Sequence, residues 1–418
     1  MFFEIPSASL CGFIRVHLWA KRKMFISKPS QFADFLIQLR EATSQGAPLA
    51  LDTEFLGEKR YFERLCLVQI HAPTETGAVE AALDPFALDL APLAEIIEDP
   101  TVTKLVHAGA VDLKIFFQGF GARPQNVFDT QIAAAFLGYG HQIGYADLVK
   151  RITRVQLSKT MQYTDWSARP LSPEQIDYAL ADVRYLPPLY EKLRSDLRER
   201  SRLEWANAEF ARAIERSTRQ FDDRDAFKKL NLSGLSRKQL AVLREGAAVR
   251  EVSARAGDKP PSFILPDLAL IQMARQQPRS AGELRAIRGI TALSTRDAQA
   301  FIDAIQTALA SPVASWPEAW DAARPDARLD AIIALLGVVV SATAAAQDVS
   351  RSYLAPRETL FELATHYVEG TLDQINDLPV LQDWRGELVG RDLLALLRGE
   401  RVVAFDEETK LPILHSIP

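Results

Sequence analysis

Residues 49–72 read LALDTEFLGEKRYFERLCLVQIHA. Two β-rich runs, PLALDTEF and RLCLVQIHA, flank the charged turn GEKRYFE, a pattern that predicts a hairpin. Side chains two apart on a strand share a face, so Asp52 and Glu54 stand side by side on one sheet surface. Upstream, SQFADFLIQLREAT at 30–43 has helical spacing with Ser30 as its N-cap. A third strand is expected near Ala82–Leu83, before the helix ALDLAPLAEIIED. KLVHAG reads as a short strand running into the helix VDLKIFFQGF, and NVFDTQIAAAFLG as a second strand-to-helix junction. From Ile143 to Leu197 the pattern is helical, broken by the loop TDWSARPLSP. Mixed strands followed by helices predict an α/β sheet flanked by helices.

A chain of 418 residues is expected to form two or three domains. Its composition is that of a globular protein, 48% hydrophobic and 25% charged. A formal net charge of −5 gives no bulk sign of a nucleic-acid partner, but the charge is uneven. Residues 224–300 carry 14 Lys/Arg against 7 Asp/Glu, and residues 301–418 carry 9 against 18, so the middle segment has the phosphate-facing balance. Residues 24–205 read as the α/β domain and 206–223 as a polar linker, the charge-dense stretch 201–223 starting as helix. Two all-helical units follow at 224–308 and 317–400, joined by a Pro-containing linker at 309–316, with a tail at 401–418.

Cys11 and Cys66 belong to no CxxC pair, which leaves a zinc site or disulfide framework without support and fits a reducing, cytosolic setting. Residues 1–23 do not have signal-peptide order: Arg15 interrupts the apolar core and KRK follows it. With Met24 opening the domain, they read as an upstream extension or a frayed arm. AIIALLGVVVSATAAA at 331–346 is shorter than a membrane span and reads as a buried helix, so no membrane association is expected.

Three separated segments carry the chemistry. Beside Asp52 and Glu54 stand Asp112 in KLVHAGAVDLKIFF, at the start of a helix, and Tyr178 with Asp182 in DYALADVRYL, one helical turn apart. Four carboxylates brought together form an anionic patch that needs cations to neutralise it. Two hard divalent cations about 3.5–4 Å apart stabilise both the attacking and the leaving oxygen of an in-line displacement. In a two-metal phosphodiester-cleaving site, Asp52 would bridge the metals, and Glu54, Asp112 and Asp182 would complete the coordination. Tyr178 would hold or help deprotonate the attacking water. Each element alone is commonplace: a surface carboxylate pair, a helical Tyr–Asp pair, an Asp serving a helix dipole. The ordered combination carries the reading.

Other residues have two readings. Asp129 in VFDT reads as a helix cap rather than a metal ligand. His107 reads as a strand-end hydrogen-bonding residue, and His71 and His141 lack companions at metal spacing. Trp166 packs under its loop, while Lys159 and Arg169 either contact phosphate or, for Arg169, bond carbonyls. Phe55 and Leu56 either wedge against terminal bases or are buried. Lys228, Lys229, Arg237, Lys238, Arg244, Arg250 and Arg255 form either a solvated face or an RNA track.

From Leu51 to Tyr190 the chain resembles the ribonuclease D branch of the DEDDy 3′→5′ exonuclease family, with DTEF, LVHAGAVDLKIF, VFDTQIAAAFLG and TDWSARPLSPEQIDYALADVRYL in the family's order. The resemblance implies an RNase H-like fold and functional roles for Asp52, Glu54, Asp112, Tyr178 and Asp182. The stretch from LNLSGLSRKQL to ELRAIRGI resembles an HRDC domain, a small helical nucleic-acid-binding module. Ribonuclease D carries two of these. The second, at 317–400, is recognised by position and length, and its acidic balance assigns RNA contact to the first. The family implies 3′→5′ hydrolysis of RNA to nucleoside 5′-monophosphates with two Mg²⁺ or Mn²⁺ ions. Its substrate would be an RNA with a single-stranded 3′ end, precursor tRNA as a class, in the cytoplasm and without an obligate protein partner. A DNA-directed exonuclease of the same superfamily, differing in 2′-OH contacts, and a non-catalytic RNA-binding adaptor are the alternatives.

Overall fold

The structure, a computed structural model, describes residues 25–158, 160–161, 164–290, 293–318, 327–375 and 377–417. The expected extension at 1–23 lies outside them. Six strands form the main sheet: β1 (Phe25–Ile26), β2 (Leu49–Leu56), β3 (Arg64–Thr74), β4 (Gly77–Leu83), β5 (Lys104–Val106) and β6 (Val127–Asp129), in the order β1-β4-β3-β2-β5-β6. The expected hairpin is β2–β3. The pairs β2–β3 and β3–β4 are antiparallel, whereas β2–β5, β5–β6 and β1–β4 are parallel, so the sheet is mixed.

β2 is central and covered on both faces. Leu49 and Leu51 meet Phe32, Phe35 and Leu39 of helix Pro29–Ser44 and Phe116 of helix Ala110–Phe120. Ala50 turns the other way, toward Val183, Leu186 and Leu189. Two-sided burial also explains the apolar run in β3, where Cys66, Leu67, Val68 and, beyond Gln69, Ile70 are all buried. Ser30 is not the cap of the first helix. That helix starts at Pro29, with Lys28 in the cap position and no side-chain cap bond. Proline's fixed φ suits the first helical position.

The stretch expected to be a linker from residue 206 belongs instead to the α/β domain. Helix Leu203–Thr218 buries Ala206 and Phe210, four apart on one face, and the Phe210 ring lies 4.9 Å from that of Phe128 on β6. The surrounding charges mask this narrow apolar stripe in the sequence.

The first helical unit has a core of its own. Helix Arg237–Gly257 starts with a capping box between Ser236 and Gln239 and packs Leu240 and Leu243 against Leu270, Met273, Phe301 and Ile305. The C-terminal unit does not stand apart in this way. Leu336, Leu360, Leu363, Trp384 and Val389 join one continuous core with Phe136, Leu189 and Phe210 of the α/β domain. The Trp384 ring stacks on Trp205 at 5.2 Å and meets Phe136 edge-on at 5.3 Å. Ser350 N–H donates to the Ala135 carbonyl at 2.9 Å, and Arg385 forms a buried ion pair with Glu209 at 2.6 Å. Gly386 and Gly390 pass so close to the Leu381 and Val380 carbonyls that a Cβ would collide with them.

The tail forms a hairpin, β7 (Arg401–Phe405) with β8 (Pro412–Ser416), against helix Ala327–Ala346. That helix is long and apolar enough to cross a membrane by length and composition, yet it packs Leu336 and Val340 into the shared core. Leu335 and Val338 stay exposed, so it is a half-buried helix rather than the buried one expected.

Candidate active site

Asp52 and Glu54 project from β2 on the face covered by helix Pro173–Arg184. A register shift between Glu54 and Phe55 bends the strand just beyond them. The helix is set at its start: the Ser172 hydroxyl accepts from Gln175 N–H at 3.2 Å, and the Gln175 side chain accepts from Ser172 N–H at 2.8 Å. Ile176, Ala179, Leu180 and Val183 bury its inner face, which holds Tyr178 and Asp182 along the acidic strand. Carboxylate oxygens of Asp52, Glu54 and Asp182 all lie within 4.8 Å of one another.

Asp112 stands beside this triad, buried in the first turn of helix Ala110–Phe120. It accepts a short hydrogen bond from the Thr53 hydroxyl. Thr53 points to the opposite face from Asp52 and Glu54, so β2 reaches Asp112 from its other side.

The electrostatics are those of crowded acids. Burial raises the Asp52 carboxyl well above its ordinary range, and the charges of Asp112, Asp182 and Glu54 raise it further. Burial, then Asp182 and Asp112, lift Glu54 to about 8. Burial raises Asp112, opposed by the Thr53 hydrogen bond, and burial raises Asp182. Burial and then Asp182 push the Tyr178 phenol up to about 12, so it stays protonated and able to donate. Among the described residues no lysine or arginine pairs with the triad. An all-carboxylate donor set with no counter-charge among the described residues fits a hard divalent cation.

Residues 24–198 match the family described as 3'-5' exonuclease, and residues 239–305 match the HRDC domain. Ribonuclease D of Acidiphilium cryptum is 38% identical over 361 residues, spanning 85% of this chain and 89% of its own. Ribonuclease D of Jannaschia sp. is 35% identical over 365 residues, spanning 85% and 91%. The chain belongs to the ribonuclease D family. The crystal structure of Escherichia coli RNase D, an exoribonuclease involved in structured RNA processing, matches at a TM-score of 0.75 and 31% identity over 90% of this chain and 98% of that one. The ribonuclease D assignment makes the activity that of a 3′→5′ exoribonuclease, a hydrolase acting on nucleic acid.

The expected substrate contacts divide. Arg169 does not face a strand of RNA: its guanidinium donates to Asp84 at 2.8 and 3.1 Å and to the carbonyls of Trp166, Ala168 and Cys66. Five hydrogen bonds leave no donor for a phosphate. Trp166 is buried, 6.2 Å ring to ring from Tyr178. Leu56 packs against that cluster, and Phe55 is half-buried. Lys159 lies outside the described residues.

In the first helical unit the basic residues singled out from the sequence are largely engaged within the protein. Arg237 donates to the carbonyls of Val313, Trp316 and Pro317 and pairs with Glu318, fastening the linker. Arg244, Arg250 and Arg255 bond Ser315, Asp267 and Asp223, and Lys228 pairs with Asp225 at 2.6 Å. Lys229 lies 4.0 Å over the Phe221 ring, and Lys238 is exposed. Asp129 caps its helix, accepting from Gln131 and Ile132 N–H and also from Ala108 and Gly109 N–H. His107 bonds Thr130 and the Ile143 carbonyl.

Residues not picked out from the sequence surround the acids. Thr53 had a signal, a polar residue on the strand face that otherwise shows Leu49 and Leu51. Tyr145, whose hydroxyl donates to the Ala181 carbonyl at 3.1 Å and so braces the residue next to Asp182, had none. Nor did Asp258, at the end of helix Arg237–Gly257. It accepts from Tyr61 and Phe62 N–H at 3.1 and 3.2 Å and pairs with Arg60 at 2.6 Å. The first helical unit thereby holds the loop that leaves the Asp52–Glu54 strand.

Proposed function

We propose that this exoribonuclease removes nucleotides one at a time from single-stranded 3′ ends at the Asp52, Glu54, Asp112 and Asp182 cluster, releasing nucleoside 5′-monophosphates. Precursor tRNA is the substrate class, trimmed in the cytoplasm. The observation that carries the reading is the meeting of Asp52, Glu54 and Asp182 within 4.8 Å, from a strand and a helix about 130 residues apart. These residues with Asp112 would hold two divalent ions, Mg²⁺ or Mn²⁺, whose chemistry is to stabilise the attacking and leaving oxygens and acidify a water. Tyr178, one helical turn from Asp182, would hold the attacking water or help to deprotonate it. The Thr53 hydroxyl holds one Asp112 oxygen, fixing the direction of the other. The Tyr145–Ala181 bond fixes the turn that presents Asp182. Of the basic residues singled out in the first helical unit, the arginines are engaged within the protein, and exposed Lys229 and Lys238 are its RNA contacts from that set.

The test is a 3′-extended tRNA, end-labelled and resolved on a sequencing gel, with Mg²⁺ or EDTA. The wild type is expected to shorten it stepwise with Mg²⁺ only, and Asp182→Ala to leave it intact. Cleavage by Asp182→Ala at the wild-type rate would overturn the site assignment. A matched DNA overhang digested as fast as the RNA would overturn the RNA preference.

A further inference from the structure

Among the described residues Gln69 is a carboxamide placed against the acids. It lies on β3 directly opposite Asp52 on β2. Opposed residues on antiparallel strands project from the same face with Cβ atoms about 4.5–5.5 Å apart. Its neighbours on that face are Leu67, opposite Glu54, and Ala82 across the next strand pair. The helix carrying Tyr178 and Asp182 covers them. Gln69 is wholly buried, and neither its Oε1 nor its Nε2 has a hydrogen-bond partner. A buried amide with both ends unpaired is costly, and an apolar side chain of the same length would remove that cost. Its neighbours Leu67, Ala179 and Leu180 would accept such a side chain readily. The amide therefore has a use that appears only when the site is loaded.

We propose that Gln69 is a positioning residue for Asp52, donating its Nε2–H to the Asp52 carboxylate when divalent ions are held there. A carboxylate has about four lone-pair positions on two oxygens, so one oxygen can face a cation while a remaining lone pair takes an N–H. Groups that orient a ligand in this way typically change metal affinity or activity by roughly 10–100-fold when removed. The inference rests on the divalent-ion reading of the site.

The test compares full-length wild type with Gln69→Met, which keeps length and removes the amide, and Gln69→Asn, which keeps the amide and shortens its reach. Mn²⁺ affinity is measured by electron paramagnetic resonance and thermal unfolding in EDTA. For Gln69→Met the expected result is unfolding at or above the wild-type temperature in EDTA with Mn²⁺ binding weakened roughly 10–100-fold. Gln69→Asn should bind Mn²⁺ no better than Gln69→Met. Unchanged Mn²⁺ affinity in Gln69→Met overturns the positioning role, as does a lowered unfolding temperature in EDTA with Mn²⁺ affinity intact. A wild type that binds no Mn²⁺ overturns the divalent-ion reading itself, and this proposal with it.

Discussion

Glu54, lifted to about 8 by burial and by its acidic neighbours, makes the ion-free site a source of pH dependence. Its folded-state affinity for a proton exceeds that of the unfolded chain, whose glutamate titrates near 4.5. The resulting stability is fully present below that range and is lost as pH rises toward 8. Asp52, Asp112 and Asp182 shift in the same direction and add to the slope. Unfolding temperature in EDTA should therefore fall between pH 5 and pH 8, and added Mn²⁺ should restore most at pH 8. A flat profile in EDTA would contradict the crowding of these acids. Thr53→Val, which removes the donor to Asp112 while keeping the β-branched shape, should weaken metal affinity or activity roughly 10–100-fold, read by titrating Mg²⁺ in the cleavage assay. Asp52 and Glu54 were legible because a strand's two-residue period needs only local sequence. The carbonyl bonds of Arg169 were one of its two readings, but Asp84, which also claims its guanidinium, was not foreseen because it is 85 residues away.

At the scale of elements, the informative contact is the grip of Asp258 on the β2–β3 loop. Asp258→Ala removes the acceptor for two backbone N–H groups and the partner of Arg60. Amide hydrogen exchange at Tyr61 and Phe62 should speed up, with the strands β2 and β3 unchanged. Acceleration throughout β2 would mean that the loop anchors the strand itself. Helix Leu203–Thr218 carries the second contact of this kind, the buried Glu209–Arg385 pair. Breaking such a pair usually costs about 3–5 kcal/mol, since a buried charge is left behind. Arg212 also bonds Glu209, so Arg385→Met should sit near the low end, about 3 kcal/mol by urea denaturation. Strand and helix types along the α/β domain followed from periodicity. The docking of this helix on the α/β domain was not legible, because Ala206 and Phe210 are its main buried apolar positions in a charged background.

For the whole molecule, the two helical units stand in different relation to the nuclease. One has its own core and touches the α/β domain through polar groups. The other completes the same core as Phe136 and Phe210. Calorimetry should show two transitions, with residues 224–316 melting separately from a unit made of the nuclease and the C-terminal helices. A single transition would mean the polar contacts at Asp258 couple all parts. Sequence pattern gave both helical stretches the same appearance, because periodicity reports that a helix has an apolar face and not which partner covers it. The shared core also bears on how the chain is made. A ribosome synthesises from the N-terminus, so the nuclease body emerges with the surface around Phe136 and Trp205 still bare. Trp384 and its companions arrive almost last to cover it, and a message truncated within its final quarter would yield an enzyme body with sticky, chaperone-binding flanks.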